Sequence, residues 1–213
     1  MNTKLKTNLL LATGNPRKLL ELQRLVSGLP LALWTPEQLS LSLELAENGS
    51  SHMENAQAKA IEFSRASGLL ALSSDGGLVV PALGNEWQSI ATHRFAGDVD
   101  DKQRAQILLE KMRSYAGEQR QISWREALCL ADGGEVIFSS EIESTKGILV
   151  DAFDASLMVP GFWVSGLWYI PYFSKTYGEL LEEQRVEIND HWTQLKELMQ
   201  SFFRSYLPSN CSP

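Results

Sequence analysis

The chain has 213 residues, 44% of them hydrophobic, enough to build a real core as one large domain or two lobes. Nineteen basic against 26 acidic residues leave a net charge of −7, which argues against sequence-independent binding to duplex DNA or RNA as the main task. Two cysteines, Cys129 and Cys211, make neither a disulfide framework nor a zinc site and fit a reducing compartment, and no stretch approaches the roughly 20 apolar residues of a membrane span.

The opening MNTKLKTNLLLATGN has only a short apolar run with no small-residue cleavage pattern after it, so it does not read as a signal peptide. Leu9 to Val26, LLLATGNPRKLLELQRLV, reads as strand, tight turn and helix, with Leu19, Leu22 and Val26 at helical spacing. Asn15 is a favoured N-cap, and Pro16 suits the first helical position, where its missing N–H would have no intrahelical partner. Such a turn aims backbone N–H groups, the helix dipole and Lys18 at one place, which suits a phosphate; an ordinary β-α unit with a solvated lysine has the same signature.

LPLALW is a short strand followed by an irregular Leu-rich segment. Ser51 with Glu54 three residues on is a capping-box pattern, and it predicts a helix over residues 52 to 67 that ends at Gly68. LLALSSDGGLVVPAL reads as a strand broken by a Gly-Gly turn and a second strand limited by Pro81, which places Asp75 in the bend. Residues 100 to 115 read as an amphipathic helix, two extended segments around Asp132-Gly133-Gly134 read as a hairpin, and KGILV reads as one more strand. PGFWVSGLWYIPYFSKTYGELL reads as loops around a short strand, in which Trp163 and Trp168 are either core or a base-stacking surface. A last helix carries Leu195, Leu198, Met199, Phe202, Phe203 and Tyr206 on one face, a core or dimer seam. Both β-α units and a hairpin are present, which predicts an α/β fold with a mixed sheet, a single domain over residues 1–207 and a tail at 208–213.

Three polar residues stand at junctions. Singly, Glu47 reads as a capping acid, Lys59 as a surface lysine and Asp75 as a turn aspartate, while Gly76 after Asp75 would let a ligand approach the backbone. None of His52, His93 and His191 makes a metal triad by spacing. In order, however, TGNPRK, ENGSSHMENAQAKA, SSDGGLVVPALG and ATHRFAG, over residues 9 to 97, resemble the inosine triphosphate pyrophosphatase, or Ham1-like, family. That pattern runs Thr-Gly-Asn-x-x-Lys, Glu-Thr-Gly with Glu-Asn-Ala-x-x-Lys-Ala seven residues on, Asp-Asp-Ser-Gly-Leu and Ser-Ala-Arg-Tyr-Ala-Gly.

The resemblance implies an elongated two-lobed α/β fold with a long central mixed β-sheet flanked by helices and a cleft between the lobes. It also implies a homodimer and hydrolysis of a nucleoside triphosphate to monophosphate and pyrophosphate, while charge, cysteine usage and the lack of a long apolar stretch lead to the expectation of a cytoplasmic protein with no polymeric nucleic acid or membrane as partner. ITP and XTP are the substrates it points to. Carried over residue by residue, Thr13, Gly14, Asn15, Lys18 and Gly76 would bind the triphosphate, with Lys59 adding charge from the second helix. Glu47 and Asp75 would hold one Mg²⁺ together with the substrate phosphates, and Asp75 would also activate water, Lys18 and Lys59 completing the catalytic set. Arg94 matches the family's arginine, Phe162 would stack on a base, and Arg185 stands where the family carries a lysine.

The chain also departs from the pattern. Ser74 replaces the first of two aspartates and Gly76 the following serine. Gly-Phe-Gly-Tyr-Asp-Pro becomes Gly161 to Gly166, GFWVSG, and the base-reading Ser-His-Arg falls on Asn189, Asp190 and His191, although KTYGELLEE survives at Lys175 to Glu183. Base recognition is therefore altered. Three readings follow: a divergent pyrophosphatase, a catalytically impaired nucleotide binder, or a scaffold whose aromatics form a partner surface.

Overall fold

The computed structural model describes residues 6–43, 45 and 47–209. Cys211 lies outside them, as does the tail expected at 208–213 except for Pro208 and Ser209, which end the last helix. In chain order the elements are β1 (Thr7–Leu11), α1 (Pro16–Leu25), β2 (Leu31–Trp34), α2 (His52–Ser67), β3 (Leu70–Val79), α3 (Asp101–Lys111) and β4 (Gln121–Asp132). There follow β5 (Glu135–Glu143), β6 (Gly147–Leu149), β7 (Trp168–Ile170), β8 (Lys175–Thr176), α4 (Glu182–Glu187) and α5 (His191–Ser209). This is a mixed α/β fold: the eight strands pair in the order β2-β1-β3-β4-β6-β7-β8, with β5 on β4. β1 runs parallel to β2 and β3, whereas β6 is antiparallel to β4 and β7, and β8 antiparallel to β7.

Two compact units share the chain: Met1–Asp75, Ala127–Ile142 and Trp192–Pro213 form the first, and Gly76–Glu126 with Glu143–His191 the second. In the first unit the period-two alternation of β1 decides everything about packing. Leu9 and Leu11 pack with Leu22 and Leu25 of α1 and Leu195, Met199 and Phe203 of α5, while Leu10 and Ala12 pack with Phe63 of α2. β3 repeats the pattern in register, Leu9 opposite Leu70 and Leu11 opposite Leu72, with Ala71 on the α2 side. Small residues let α2 lie close over the sheet: Ala56 and Ala60 meet Ala127, Cys129 and Ala131. On α5 the buried apolar positions among the described residues are Leu195, Met199, Phe203 and Leu207, an i, i+4 stripe that His191 begins; Leu198, expected on that face, is 42% exposed because it lies a quarter turn away.

The second unit is built around aromatic rings, with Trp124, Phe162, Trp163, Trp168 and Tyr177 in one core with Leu78, Leu108 and Leu149. Trp163 and Trp168 are 1% and 0% exposed, so the partner surface expected from GFWVSGLWYIPYF does not exist there; of that segment Tyr172 is the large exposed ring, at 71%. A ring that large gains most by leaving water altogether.

One strand differs from its sequence reading. β3 runs unbroken through Gly76 and Gly77, with neither glycine in the positive-φ region. A Cβ at Gly76 would collide with Oε2 of Glu126 and lie 2.7 Å from the carbonyl of Arg125, so this glycine exists for the close approach of β4 rather than for a turn. The true Gly-Gly turn is at 133–134, where φ values of 55° and 86° close the β4–β5 hairpin as expected.

Candidate active site

The polar residues of the first unit gather where β1 gives way to α1 and where α2 crosses β3. At the first junction Asn15 caps α1, its Oδ1 accepting the N–H of Arg17 at 2.9 Å and of Lys18 at 3.3 Å, with Pro16 in the first turn. Thr13 Oγ1 in turn accepts the N–H of Asn15 at 3.2 Å. Gly14 is exposed and a Cβ there would meet nothing within 4 Å, so the turn's backbone is open to a ligand. Lys18 reaches from α1 to β3, its Nζ donating to the carbonyl of Ser74 at 3.5 Å. Lys18 is thus half-buried and turned toward β3 rather than simply solvated.

At the second junction strand parity sets the chemistry. Asp75 shares a face of β3 with Ala71 and Ser73, and the Ser73 hydroxyl donates to the carbonyl of Ala56 on α2. Asp75 thus lies in mid-strand against the first two turns of α2, not in a bend, and only 7% of it is exposed. Positions 52, 55 and 59 of α2 form one stripe facing it. His52 Nδ1 lies 2.7 Å and Asn55 Nδ2 3.3 Å from Oδ2, while Lys59 Nζ donates to Oδ1 at 3.1 Å. The same Lys59 ammonium donates to Oε1 of Glu47 at 2.8 Å. Asn55 also ties down the Glu47 loop, its Oδ1 accepting the N–H of Gly49 at 2.9 Å.

Ser51 caps α2 as predicted, accepting the N–H of Glu54 at 3.1 Å. The expected reciprocal half of the capping box is displaced by one residue: Glu54 Oε2 accepts from the N–H and hydroxyl of Ser50, at 2.6 and 2.9 Å.

Burial pushes the Asp75 carboxyl up, but the His52 hydrogen bond and the charges of Lys18, Lys59 and His52 outweigh it, holding the group well below the usual carboxylate range. Burial pulls Lys59 down, yet Asp75 and Glu47 more than compensate and keep it above the ordinary lysine value. Both are fully charged at neutral pH.

Glu47 Oε1 and Asp75 Oδ1 bond the same ammonium, so two carboxylate oxygens converge on one position that suits a cation. Among the described residues no cluster of three or more His, Cys, Asp or Glu offers a complete cage. Two carboxylates fit Mg²⁺, which keeps waters and substrate phosphates in its other positions. Ser74, where a second carboxylate was expected from the resemblance, has its side chain on the opposite face of β3 from Asp75, 2% exposed, and its hydroxyl has no partner among the described residues.

The remaining expected site residues belong to the second unit. Arg94 is exposed and donates to the carbonyl of Ile90 at 3.3 Å. Phe162 is not an open stacking platform: it is 8% exposed and meets Trp124 and Tyr177 edge-on, at 4.7 and 5.7 Å between centroids. Arg185 lies over the Tyr177 ring at 5.1 Å, and Gly76 is occupied by Glu126 rather than open to a ligand. At the base-reading positions Asp190 accepts from the Tyr177 hydroxyl at 2.6 Å, and His191, fully buried, packs near Trp168 and Tyr177.

The sequence reading missed His52 and Asn55. Their signal was the spacing to Lys59, seven and four residues, which puts all three on one helical face.

The sequence model of the Ham1 family matches residues 9–201. A protein of Thermus thermophilus named dITP/XTP pyrophosphatase is 33% identical over 194 residues, 90% of each chain. The solved structure of a HAM1 protein from Coxiella burnetii superposes with a TM-score of 0.76 over 93% of this chain and 99% of that one, at 24% identity, a likeness of fold. A Mycobacterium abscessus structure described as a nucleoside-triphosphatase and dITP/XTP pyrophosphatase is 28% identical, with a TM-score of 0.66 over 86% of this chain and 94% of that one.

Proposed function

The chain belongs to the Ham1 family, and on that premise we propose that it is a nucleoside triphosphate pyrophosphatase. It converts a purine triphosphate such as dITP or XTP and water to the monophosphate and pyrophosphate. The observation that carries the reading is the convergence of Glu47 and Asp75 on one cation-sized position, held by the Lys59 ammonium, with Lys18 reaching the neighbouring Ser74 carbonyl. The binder and scaffold readings are not favoured. A scaffold has no use for two carboxylates and an ammonium held at 2.8 and 3.1 Å, one carboxylate almost wholly buried.

Enzymes of this family are metal-dependent hydrolases, and we assign Mg²⁺, held by Glu47 and Asp75, as the ion here. When bound, the ion neutralises phosphate charge and lowers the cost of the developing negative charge. The chain's own residues do the rest. The Gly14 amide, the α1 dipole and Lys18 receive phosphate oxygens at the Asn15-capped turn, whose other N–H groups are held by Thr13 and Asn15. Lys59 transfers its donors from the two carboxylates to the triphosphate, so its charge serves both states. Asp75, ionised and fixed by three donors, takes a proton from the water that replaces the bridging oxygen between the α and β phosphates. Pyrophosphate then leaves from the capped turn. We further assign the protein to the cytoplasm as a homodimer, in line with the family expectation and the buried thiol of Cys129; no helix among the described residues is long and apolar enough to cross a membrane.

The test is pyrophosphate release from a panel of standard and deaminated triphosphates with Mg²⁺. Release from dITP or XTP is expected, falling at least about a thousandfold, or about 4 kcal/mol, in Asp75→Asn. Nucleotide binding without release would make the protein a binder, and neither would leave the scaffold.

A further inference from the structure

α2 opens with a buried imidazole that has no chemical step of its own in the hydrolysis. His52 follows the cap Ser51, is 3% exposed and has Nδ1 2.7 Å from Oδ2 of Asp75. An ionised carboxylate only accepts, so the shared hydrogen is carried on Nδ1. The two oxygens of Asp75 therefore have different holders: Oδ2 faces His52 and Asn55, and Oδ1 faces the ammonium it shares with Glu47.

That division matters because the terminal torsion of an aspartate is broad and two-fold, and left alone the two oxygens exchange places. Asn55 is the weaker of the two anchors on Oδ2, at 3.3 Å, and its own carbonyl oxygen is engaged with Gly49. The shorter bond, buried and with a charged acceptor, comes from His52. Its ring has no backbone freedom to follow the carboxylate, since it sits in the first turn of a capped helix whose next turns are packed through Ala56 and Ala60.

We infer that His52 is a positioning residue for the reaction: its Nδ1–H holds Oδ2 of Asp75 so that Oδ1 alone faces Lys59 and Glu47, where cation and water are handled. The inference rests on the pyrophosphatase reading for its catalytic consequence and on the geometry of α2 and β3 for the contact itself.

Three variants separate the hydrogen bond from mere filling of space. His52→Phe keeps a ring of similar size without a donor. His52→Asn places an amide N–H as many bonds from the backbone as Nδ1, and His52→Gln places it one bond too far. Steady-state pyrophosphate release should show kcat lower by about 30- to 100-fold in His52→Phe, the scale of a small displacement of a reacting group, with KM for the triphosphate within about threefold of the parent. His52→Asn should recover most of kcat and His52→Gln little. Unchanged kcat in His52→Phe, an effect confined to KM, or an Asn variant no better than the Gln one overturns the proposal.

A second readout needs no turnover. The buried Nδ1–H should give a far-downfield proton resonance in the unliganded protein that disappears in Asp75→Ala as well as in His52→Phe. Its absence from the parent, or its survival in folded Asp75→Ala, overturns the contact whatever the kinetics show. A parent that shows the resonance but hydrolyses no triphosphate overturns the pyrophosphatase reading and the catalytic role of His52 together, while the contact stands.

Discussion

Buried charge is handled in two ways in this molecule. In the first unit Asp75, Lys59 and Glu47 come from a strand, a helix and a loop, and their polar atoms meet at a common point that one ammonium occupies. In the second unit Asp190 and Arg185 are about as hidden as Asp75, but the carboxylate bonds the Tyr177 hydroxyl and the guanidinium covers the Tyr177 ring, within a stack in which Trp168 and Tyr177 lie 4.6 Å apart and nearly parallel. Burial alone therefore does not mark a site. What marks it is convergence: two carboxylates brought together around one ammonium, as opposed to single charges each set against a neutral ring or hydroxyl inside a core.

The contrast can be broken most forcefully in the aromatic unit. Trp168→Ala removes the central, fully buried ring of that stack and should cost about 3–5 kcal/mol of stability, read as a lower urea midpoint. A small loss would mean that the stack is not core after all. Glu47→Gln sharpens the other side. Its side chain is 43% exposed, so stability should change by less than about 1 kcal/mol. Pyrophosphate release at fixed Mg²⁺ should nevertheless fall about a hundredfold, or about 2.7 kcal/mol.

Acid tests the same cluster without changing its shape. The Asp75 carboxyl is depressed in the folded chain, so its contribution to stability is fully present above the ordinary carboxylate range and is lost as pH falls through the depressed value. The urea midpoint should hold steady from neutral pH down to about 5 and decline below about 4. The decline should be shallower in Asp75→Asn; an identical acid limb in both proteins would show that Asp75 is not stabilised by its neighbours. The smallest effect belongs to Ser74→Ala. Its hydroxyl is buried with no partner among the described residues, so removing it should leave the midpoint within about 0.5 kcal/mol or raise it, and should leave release unchanged.

Much of this could be read from the one-dimensional chain, for local reasons. Asn15-Pro16, Ser51 and the Gly133-Gly134 turn announce themselves because caps and tight turns depend on a few adjacent residues. The β-α order and the mixed sheet followed from those signals. The nomination of Glu47, Lys59 and Asp75 came instead from the ordered motifs that resemble the Ham1-like family, since singly each had an ordinary structural reading.

Tertiary structure decided the rest. Gly76-Gly77 looks like a turn by composition, and only the approach of Glu126 from β4 shows that Gly76 makes room within a continuous strand. Trp163, Trp168 and Phe162 could each have been platform or core, since an aromatic side chain suits both until its neighbours are known. His52 was one of three histidines whose spacing makes no metal triad, and its role emerged only when α2 and β3 were laid together. Sequence by itself determined which groups could carry charge, where α1 and α2 are capped and where the β4–β5 hairpin turns, because those depend on a few adjacent residues. Which groups share a face, which oxygen each donor holds and which rings lose their water were decided by packing between segments far apart in the chain.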